Sequence, residues 1–434
     1  MLVPLTTALL YVRSYGVNVF HADEWDFVAL LRESARGTLG VSDLLAHHNE
    51  HVYLAPWVVM LLLGKLTGYA TVPLMYLVVA CLLLTMATVY RAYASSIGRT
   101  PLALILFAPV PFLLFSFKQY ENLLWGNQIS FGFAQTFSVL ALYFLLADKG
   151  GWLGGLAFSG AALSAAVAAG SAAPGLLAWP AGLLLLALRG QRGEATAWAR
   201  IGAWALLGAA VWGAYLAGYG GPDANATPSF VLEHPLSGAE YLLTLAGASL
   251  FWGEGTALAA GALLLLAAAA SLALVLVLGR AKENAFWISL GAFSAMSLAL
   301  IAAGRSGFGD TLFAQATLTR YAAFSIPGVV ALYGLLANLA LNARSRIAVA
   351  LLCVLLAAML SGIVRSYQFG PEAGAAVEDS RRQAARILLN HETEPLAAFT
   401  IFGHDPSKVQ RYARFLDKRD YNAFAEGARG TDGE

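Results

Sequence analysis

Charge is what this sequence is short of. Only 12% of its 434 residues are Asp, Glu, Lys or Arg, and they nearly balance, at a net +1. A soluble domain carries about 25% charged residues, so an ordinary water-exposed surface is excluded. Without excess positive charge, bulk electrostatic binding of nucleic acid is excluded too. Cysteine is scarce: Cys81 and Cys353 lie far apart inside apolar runs, where each reads as a packed thiol rather than half of a disulfide or metal pair. No fixed-period repeat is visible, which argues against a solenoid and gives no support to a transporter built of repeats. The opening stretch MLVPLTTALLYVRSYGVNVF has neither a basic n-region nor a small-residue cleavage site, so it reads as a first transmembrane helix, not as a cleaved signal peptide.

What is present is apolar: 59% of the residues are hydrophobic, and the mean hydropathy is +0.65. Runs long enough to cross a bilayer occur near 2–20, 70–92, 101–117, 129–147, 152–169, 172–188, 200–218, 256–279, 285–303, 322–341 and 347–364, about eleven in all. A cytoplasmic N-terminus puts Arg91, Arg99, Lys149, Arg189, Arg192, Arg200, Arg280, Lys282, Arg344 and Arg346 on the cytoplasmic side, as the positive-inside rule requires. Residues 52–67 are apolar but short, and counting them as a span would invert every later loop. They are expected to lie along the outer interface, anchored by Tyr53 and Trp57. Residues 26–46 are expected to form a second such helix, with Phe27, Leu30, Leu31, Leu44 and Leu45 available for its buried face. Between 150 and 182, Gly and Ala suit close helix packing, with Pro174 and Pro180 as punctuation. From residue 365 the composition turns polar. Helices are expected at 372–390 and 406–418, and a frayed end at 428–434. The expected fold is an all-α polytopic membrane protein of about eleven transmembrane helices. A transmembrane domain (1–364) carries interfacial helices in its first outer loop (21–69), and a small extracytoplasmic domain (365–434) follows.

Four polar regions then share the outer side: 21–69, 117–128, 219–255 and 304–321. The first holds four of the seven histidines and the acids of DEWD, which are Asp23, Glu24 and Asp26. Acids beside a membrane are costly to keep, and one held near an acceptor hydroxyl could serve as a general base; a solvated acidic loop is the plain alternative. In HHNEH, a helix would put His47, Glu50 and His51 on one face at metal-capable spacing. Hydrogen bonding to a sugar or phosphate by His48, Asn49, Glu50 and His51 is at least as good a reading, and a solvated loop is again the plain one. FKQYENLLWGNQ gathers Lys118, Glu121, Asn122, Trp125 and Gln128, the flat faces and amides that carbohydrate sites use. An aromatic belt would explain its Trp and Tyr but not its Glu, Asn and Gln. Arg305, Arg320 and Tyr321 stand where arginines are otherwise sparse, and a guanidinium fork suits phosphate; lipid-headgroup anchoring competes. His234 and His404 are isolated, and Glu254 sits at a span boundary.

The order of these features resembles the GT-C superfamily of membrane glycosyltransferases, which includes protein O-mannosyltransferases and lipid A aminoarabinose transferases. Asp23–Glu24 matches the acidic pair that opens the family's first outer loop. Residues 52–67 match the interfacial helix, LTGYATVPLMYLVVACLLLTMATVYR the next span, and ENLLWGNQ the second polar loop. The likeness covers about the first 150 residues, and the rest by topology. Glu121 stands where the family often has Asp, and HHNEHVYLAP replaces a proline-rich element. The resemblance implies transfer of a sugar from a polyprenyl-phosphate donor to a glycan, lipid or protein acceptor by one inverting displacement. That would occur on the extracytoplasmic face of a cell (inner) membrane. In that reading Asp23 is the base, Glu24 assists, and Arg305, Arg320 and Lys118 offset charge on the leaving phosphate. Asp26 and the residues picked out in HHNEH, FKQYENLLWGNQ and TRY line the substrate. The resemblance fixes no cofactor; a divalent metal held by His47, Glu50 and His51 is the alternative that HHNEH carries. A transporter or flippase of a polyprenyl-linked glycan and a non-catalytic glycan- or lipid-binding relative remain as other readings. Nearly charge-free spans count against the first.

Overall fold

The computed structural model describes residues 2–148, 151–190, 195–220, 229–306, 315–392 and 406–427. Among them the only strands are His47–His48 and His51–Val52, paired antiparallel, and helix accounts for nearly everything else. Eight helices are long and apolar enough to cross a membrane: Val72–Ser96, Pro101–Leu124, Gly126–Ala147, Ala197–Leu216, Glu254–Val277, Ala285–Arg305, Thr319–Leu341 and Arg346–Leu389. Helix is what such sequences must form in lipid, where every backbone N–H and C=O needs an internal partner. The other three apolar runs are also helical, but their helices, Leu2–Tyr15, Gly154–Ala169 and Ala173–Arg189, are shorter. The chain is an all-α polytopic membrane protein.

Thr319–Leu341 is the central element, with 89% of its apolar window buried. Ala197–Leu216 and Glu254–Val277 lie at the periphery, with 17% and 22% buried. They turn Leu206, Leu263, Leu265, Leu266 and Leu276 outward. Each such leucine would forgo about 1.5–3 kcal/mol in water and nothing in lipid.

The bundle has two polar ends. At one, Ser96 accepts the Trp287 indole N–H at its hydroxyl (3.2 Å), and its carbonyl accepts the side-chain amides of Asn342 (2.8 Å) and Asn338 (3.3 Å). Ala285–Arg305 runs from Trp287 at that end to Arg305 at the other, 21 residues or about 30 Å. Near Arg305 the four polar regions meet.

One expectation for the first polar region, 21–69, changes. Residues 26–46 are not one helix. Glu24–Arg36 stops at Gly37, whose left-handed backbone (φ 74°) returns its N–H to Ser34, and a separate turn, Val41–Leu45, follows. Phe27, Leu30 and Leu31 are buried, but Leu45 is exposed, because the glycine re-aims the chain. Leu54–Thr67 has 14 residues, about 21 Å, too short for a 30 Å hydrocarbon core. It buries Trp57, Met60 and Leu61 while Leu62 and Leu66 face out.

Position 365, where the composition turns polar, lies inside a continuous 44-residue helix, Arg346–Leu389. The chain then folds back. Tyr412 and Leu416 of Pro406–Asp417 join an apolar cluster with Phe20, Trp25, Phe27 and Tyr69. Asn422 closes the contact: its side chain accepts from Phe20 N–H (3.2 Å) and donates to the Tyr69 carbonyl (2.9 Å), while its N–H donates to the Gly68 carbonyl (2.8 Å). The expected frayed end at 428–434 and His404 lie outside the described residues.

Candidate functional site

Acids crowd the start of Glu24–Arg36, where unpaired helix N–H groups favour negative charge. Ala22 (φ 46°) turns the chain so that Asp23 takes the N-cap position without a side-chain cap bond. Glu24 is buried and points back: Oε2 accepts from His21 N–H (2.8 Å) and Oε1 from Asn127 N–H (2.9 Å). One carboxyl thus ties the first polar region to the second. The approach needs Gly126, since a Cβ there would stand 2.8 Å from Glu24 Oε1 and 3.2 Å from Leu74 Cδ1. Burial pushes the Glu24 carboxyl up to about 8, against the lowering effect of the two N–H donors and Arg381.

HHNEH is a hairpin, not a helix. His48 faces His51 across the ladder, and Asn49 (φ 52°) makes the turn, a left-handed position that asparagine tolerates. The i, i+3, i+4 face proposed for His47, Glu50 and His51 therefore does not exist. His47 packs on Tyr215 and Tyr219. Glu50 pairs with Arg305. His51 accepts the Ala173 N–H at Nδ1 (3.2 Å) and turns Nε2 to Glu50 Oε1 at 3.6 Å. Burial lowers the His51 imidazole to about 4, so the ring is neutral at pH 7 and carries its proton on Nε2. Burial alone would raise the Glu50 carboxyl; the His51 and Arg305 side chains outweigh it and hold Glu50 below the usual range. Among the described residues no three His, Cys, Asp or Glu side chains converge as a metal site.

The second polar region, 117–128, is buried rather than solvated. Lys118, Gln119, Asn122, Trp125, Asn127 and Gln128 are all below 10% exposed. Glu121 Oε2 accepts from the Thr319 hydroxyl (2.9 Å) and Arg320 N–H (3.0 Å), while Oε1 faces Arg320 Nη1 at 3.2 Å. Asn122 donates to the Arg320 carbonyl (3.0 Å). Lys118 lays its ammonium on the Trp252 ring, 3.9 Å from the centroid, and Tyr120 stacks on the same indole. Trp125 packs edge-on against His21. Asn122 Oδ1, Trp125 Nε1 and Gln128 Oε1 are buried and have no hydrogen-bond partner among the described residues.

Phe131 links the two halves, 6.2 Å from the His51 ring and 6.3 Å from Tyr321. The structure therefore gathers most of the residues singled out in the sequence. Asn49, exposed on its turn, stands apart. Arg305 and Arg320, expected to offer positive charge, are each matched by a carboxylate. Asp26 pairs with Lys408 (2.6 Å) and lies 3.6 Å from His48 Nε2. Glu24, Asp26, Glu50 and Glu121 are thus engaged. Asp23 is the exception: it is partly exposed, and its side chain makes no hydrogen bond or ion pair among the described residues, yet its charge reaches Glu24, His51 and Tyr53. Chemically, that is a carboxyl group with no side-chain partner among the described residues to compete with a ligand.

The sequence reading missed Lys408, Trp252, Thr319 and Arg381, whose charge reaches Glu24 and Glu121. Trp252 carried a signal, being an indole between glycine-rich turns in a region already placed on the outer side. Lys408 and Arg381 carried none, because only the fold-back of the chain brings them near. Set against protein-family models, curated proteins and solved structures, the chain matches none.

Proposed function

We propose that this protein is a membrane glycosyltransferase that moves a sugar from a polyprenyl-phosphate donor to an extracytoplasmic acceptor. The observation that carries the reading is the state of the five acids singled out in the first two polar regions: among the described residues the side chains of Glu24, Asp26, Glu50 and Glu121 have partners and that of Asp23 has none. In the proposed reaction Asp23 takes the proton of the acceptor hydroxyl as its oxygen attacks the anomeric carbon. The bond to the lipid phosphate breaks on the opposite side of the sugar, and the phosphate leaves with the electron pair. Glu24 serves by position, since both its oxygens hold backbone N–H groups. Glu50–Arg305 and Glu121–Arg320 fix the walls, and the unpaired buried atoms of Asn122, Trp125 and Gln128 suit sugar hydroxyls.

The finer architecture belongs to the same proposal. The three shorter apolar helices complete a count of eleven spans, and the N-terminus is cytoplasmic. The end holding Ser96 and Trp287 then faces the cytoplasm, and the site faces the periplasm with residues 365–434 as a small extracytoplasmic domain.

The test is transfer from a panel of radiolabelled polyprenyl-phosphate sugars by purified protein in detergent. Asp23→Asn is expected to lower turnover about 100-fold or more with an unchanged melting temperature, because the side chain bonds to no described residue. Full activity in the variant would remove Asp23 as base. Absence of turnover with every donor in the wild type would remove the enzyme reading.

A further inference from the structure

Of the cations expected to meet a phosphate, two are already neutralised. Arg305 is paired with Glu50 and Arg320 with Glu121. Lys118 differs. It is 3% exposed, and among the described residues its ammonium makes no hydrogen bond and no ion pair, only the contact with the Trp252 face. Glu121, three residues on, spends both oxygens on Thr319 and Arg320. Beside the ammonium, Trp252 Nε1 is buried and lacks an acceptor among the described residues. A buried ammonium without an ion-pair partner is expensive, and a ring face recovers about 2 kcal/mol of that cost when desolvated. The ammonium feels the Glu121 charge, but among the described residues neither it nor the Trp252 indole N–H is bonded to an acceptor.

Their place in the fold matters. Trp252 ends the connection into Glu254–Val277, a peripheral helix whose leucines face outward. Lys118 lies near the end of Pro101–Leu124, in the second polar region. A ligand reaching this point would have its head on Lys118 and Trp252 and its tail along the apolar exterior.

We infer that Lys118 and Trp252 form an anion subsite that takes the phosphate group of an isoprenoid phosphate ester, the Lys118 ammonium and the Trp252 indole N–H both donating to phosphate oxygens. The subsite deepens the glycosyltransferase reading by assigning the donor phosphate to one lysine and one tryptophan instead of to the two arginines, and it rests on that reading for its purpose. Its chemistry would also accept free phosphate, and the test separates the sources.

The experiment is calorimetric titration of the full chain in detergent with farnesyl phosphate, farnesol and inorganic phosphate, together with melting temperatures. Wild type is expected to bind farnesyl phosphate at least tenfold more tightly than farnesol. Lys118→Met should abolish that preference, and Lys118→Arg should restore most of it. Trp252→Phe, which keeps the ring and removes the N–H, should weaken binding several-fold. Without ligand, Lys118→Met should melt no lower than wild type, since it removes an unpaired buried charge, so lost binding would not be lost folding. Equal affinity of wild type and Lys118→Met for farnesyl phosphate would overturn the subsite, as would farnesol binding as well as the phosphate. Inorganic phosphate binding as tightly as farnesyl phosphate would overturn the isoprenoid assignment and make the source free phosphate. The two readings also separate: Asp23→Asn should bind farnesyl phosphate like wild type. Binding without any turnover would sink the enzyme while keeping the subsite; turnover unaffected by Lys118→Met would sink the subsite alone.

Discussion

Glu24 and His51 show how burial sets charge at the level of single residues, and in opposite directions. The folded Glu24 carboxyl keeps its proton to about pH 8, against an ordinary value of 4.5. Between those values the folded state binds more protons than the unfolded one, so stability declines as pH rises through the window. His51 is the reverse, at about 4 against 6.5; its contribution is full above 6.5 and is lost as pH falls toward 4. The two slopes oppose each other between 4.5 and 6.5, which leaves Glu24 readable above 6.5. Melting temperatures in detergent should fall from pH 6.5 to 8.5 in the wild type, and Glu24→Gln should flatten that limb while leaving the acid limb in place. The amide keeps only one acceptor for two backbone N–H groups, so the variant should lose about 1–3 kcal/mol at pH 6. An unchanged alkaline limb in Glu24→Gln would remove Glu24 as its cause. The sequence showed that these residues were unusual, because acids and imidazoles stood beside a membrane. It did not show which acid was free. Asp23 and Glu24 are adjacent and chemically alike, and only the approach of Asn127, 103 positions on, separates their roles.

Among the elements, two joints hold the polar end together, and each offers a measurement. The first is Gly126 against Glu24. A Cβ at Gly126 meets an oxygen that cannot retreat without breaking a backbone hydrogen bond, so Gly126→Ala should cost about 1–3 kcal/mol, as overpacking does. In a Glu24→Ala background the same change should cost much less. Equal costs in both backgrounds would show that the clash is not with Glu24. The second joint is Asn422. Asn422→Ala orphans the Phe20 N–H and the Tyr69 carbonyl, about 1–3 kcal/mol for each buried group. The Pro406–Asp417 helix should then loosen and trypsin should cut at Lys408, Arg411 and Arg414 faster than in the wild type. An unchanged cleavage rate would place the hold on the tail elsewhere, with Lys408–Asp26 the next pair to test. Helices of this chain could be read in advance because apolar runs have few other options in lipid. The hairpin at HHNEH could not: five polar residues carry no periodicity, and a left-handed Asn49 turn looks the same in sequence as a helix surface. The break at Gly37 was visible as a glycine, but its meaning as a helix end depends on a backbone angle.

For the whole molecule, what had to be discovered is the way distant segments meet. Glu50 and Arg305 stand 255 residues apart, and no local pattern joins them. What the sequence did carry is the alternation of apolar runs and polar loops, which sends four polar regions to one end of the bundle and most of the basic residues to the other. That alternation also makes the orientation testable. After replacement of Cys81 and Cys353 by alanine, single cysteines can be placed at two exposed positions: Arg36 within the first polar region, and Arg99 at the end that holds Ser96. If the basic end is cytoplasmic, a membrane-impermeant maleimide should label Arg36→Cys on spheroplasts and Arg99→Cys only after permeabilisation. The reversed pattern would put Asp23 and its neighbours in the cytoplasm, where the charge bias of the loops disfavours them. It would also remove an extracytoplasmic acceptor from the proposed reaction. Orientation therefore bears on the chemistry as directly as any substitution in the site.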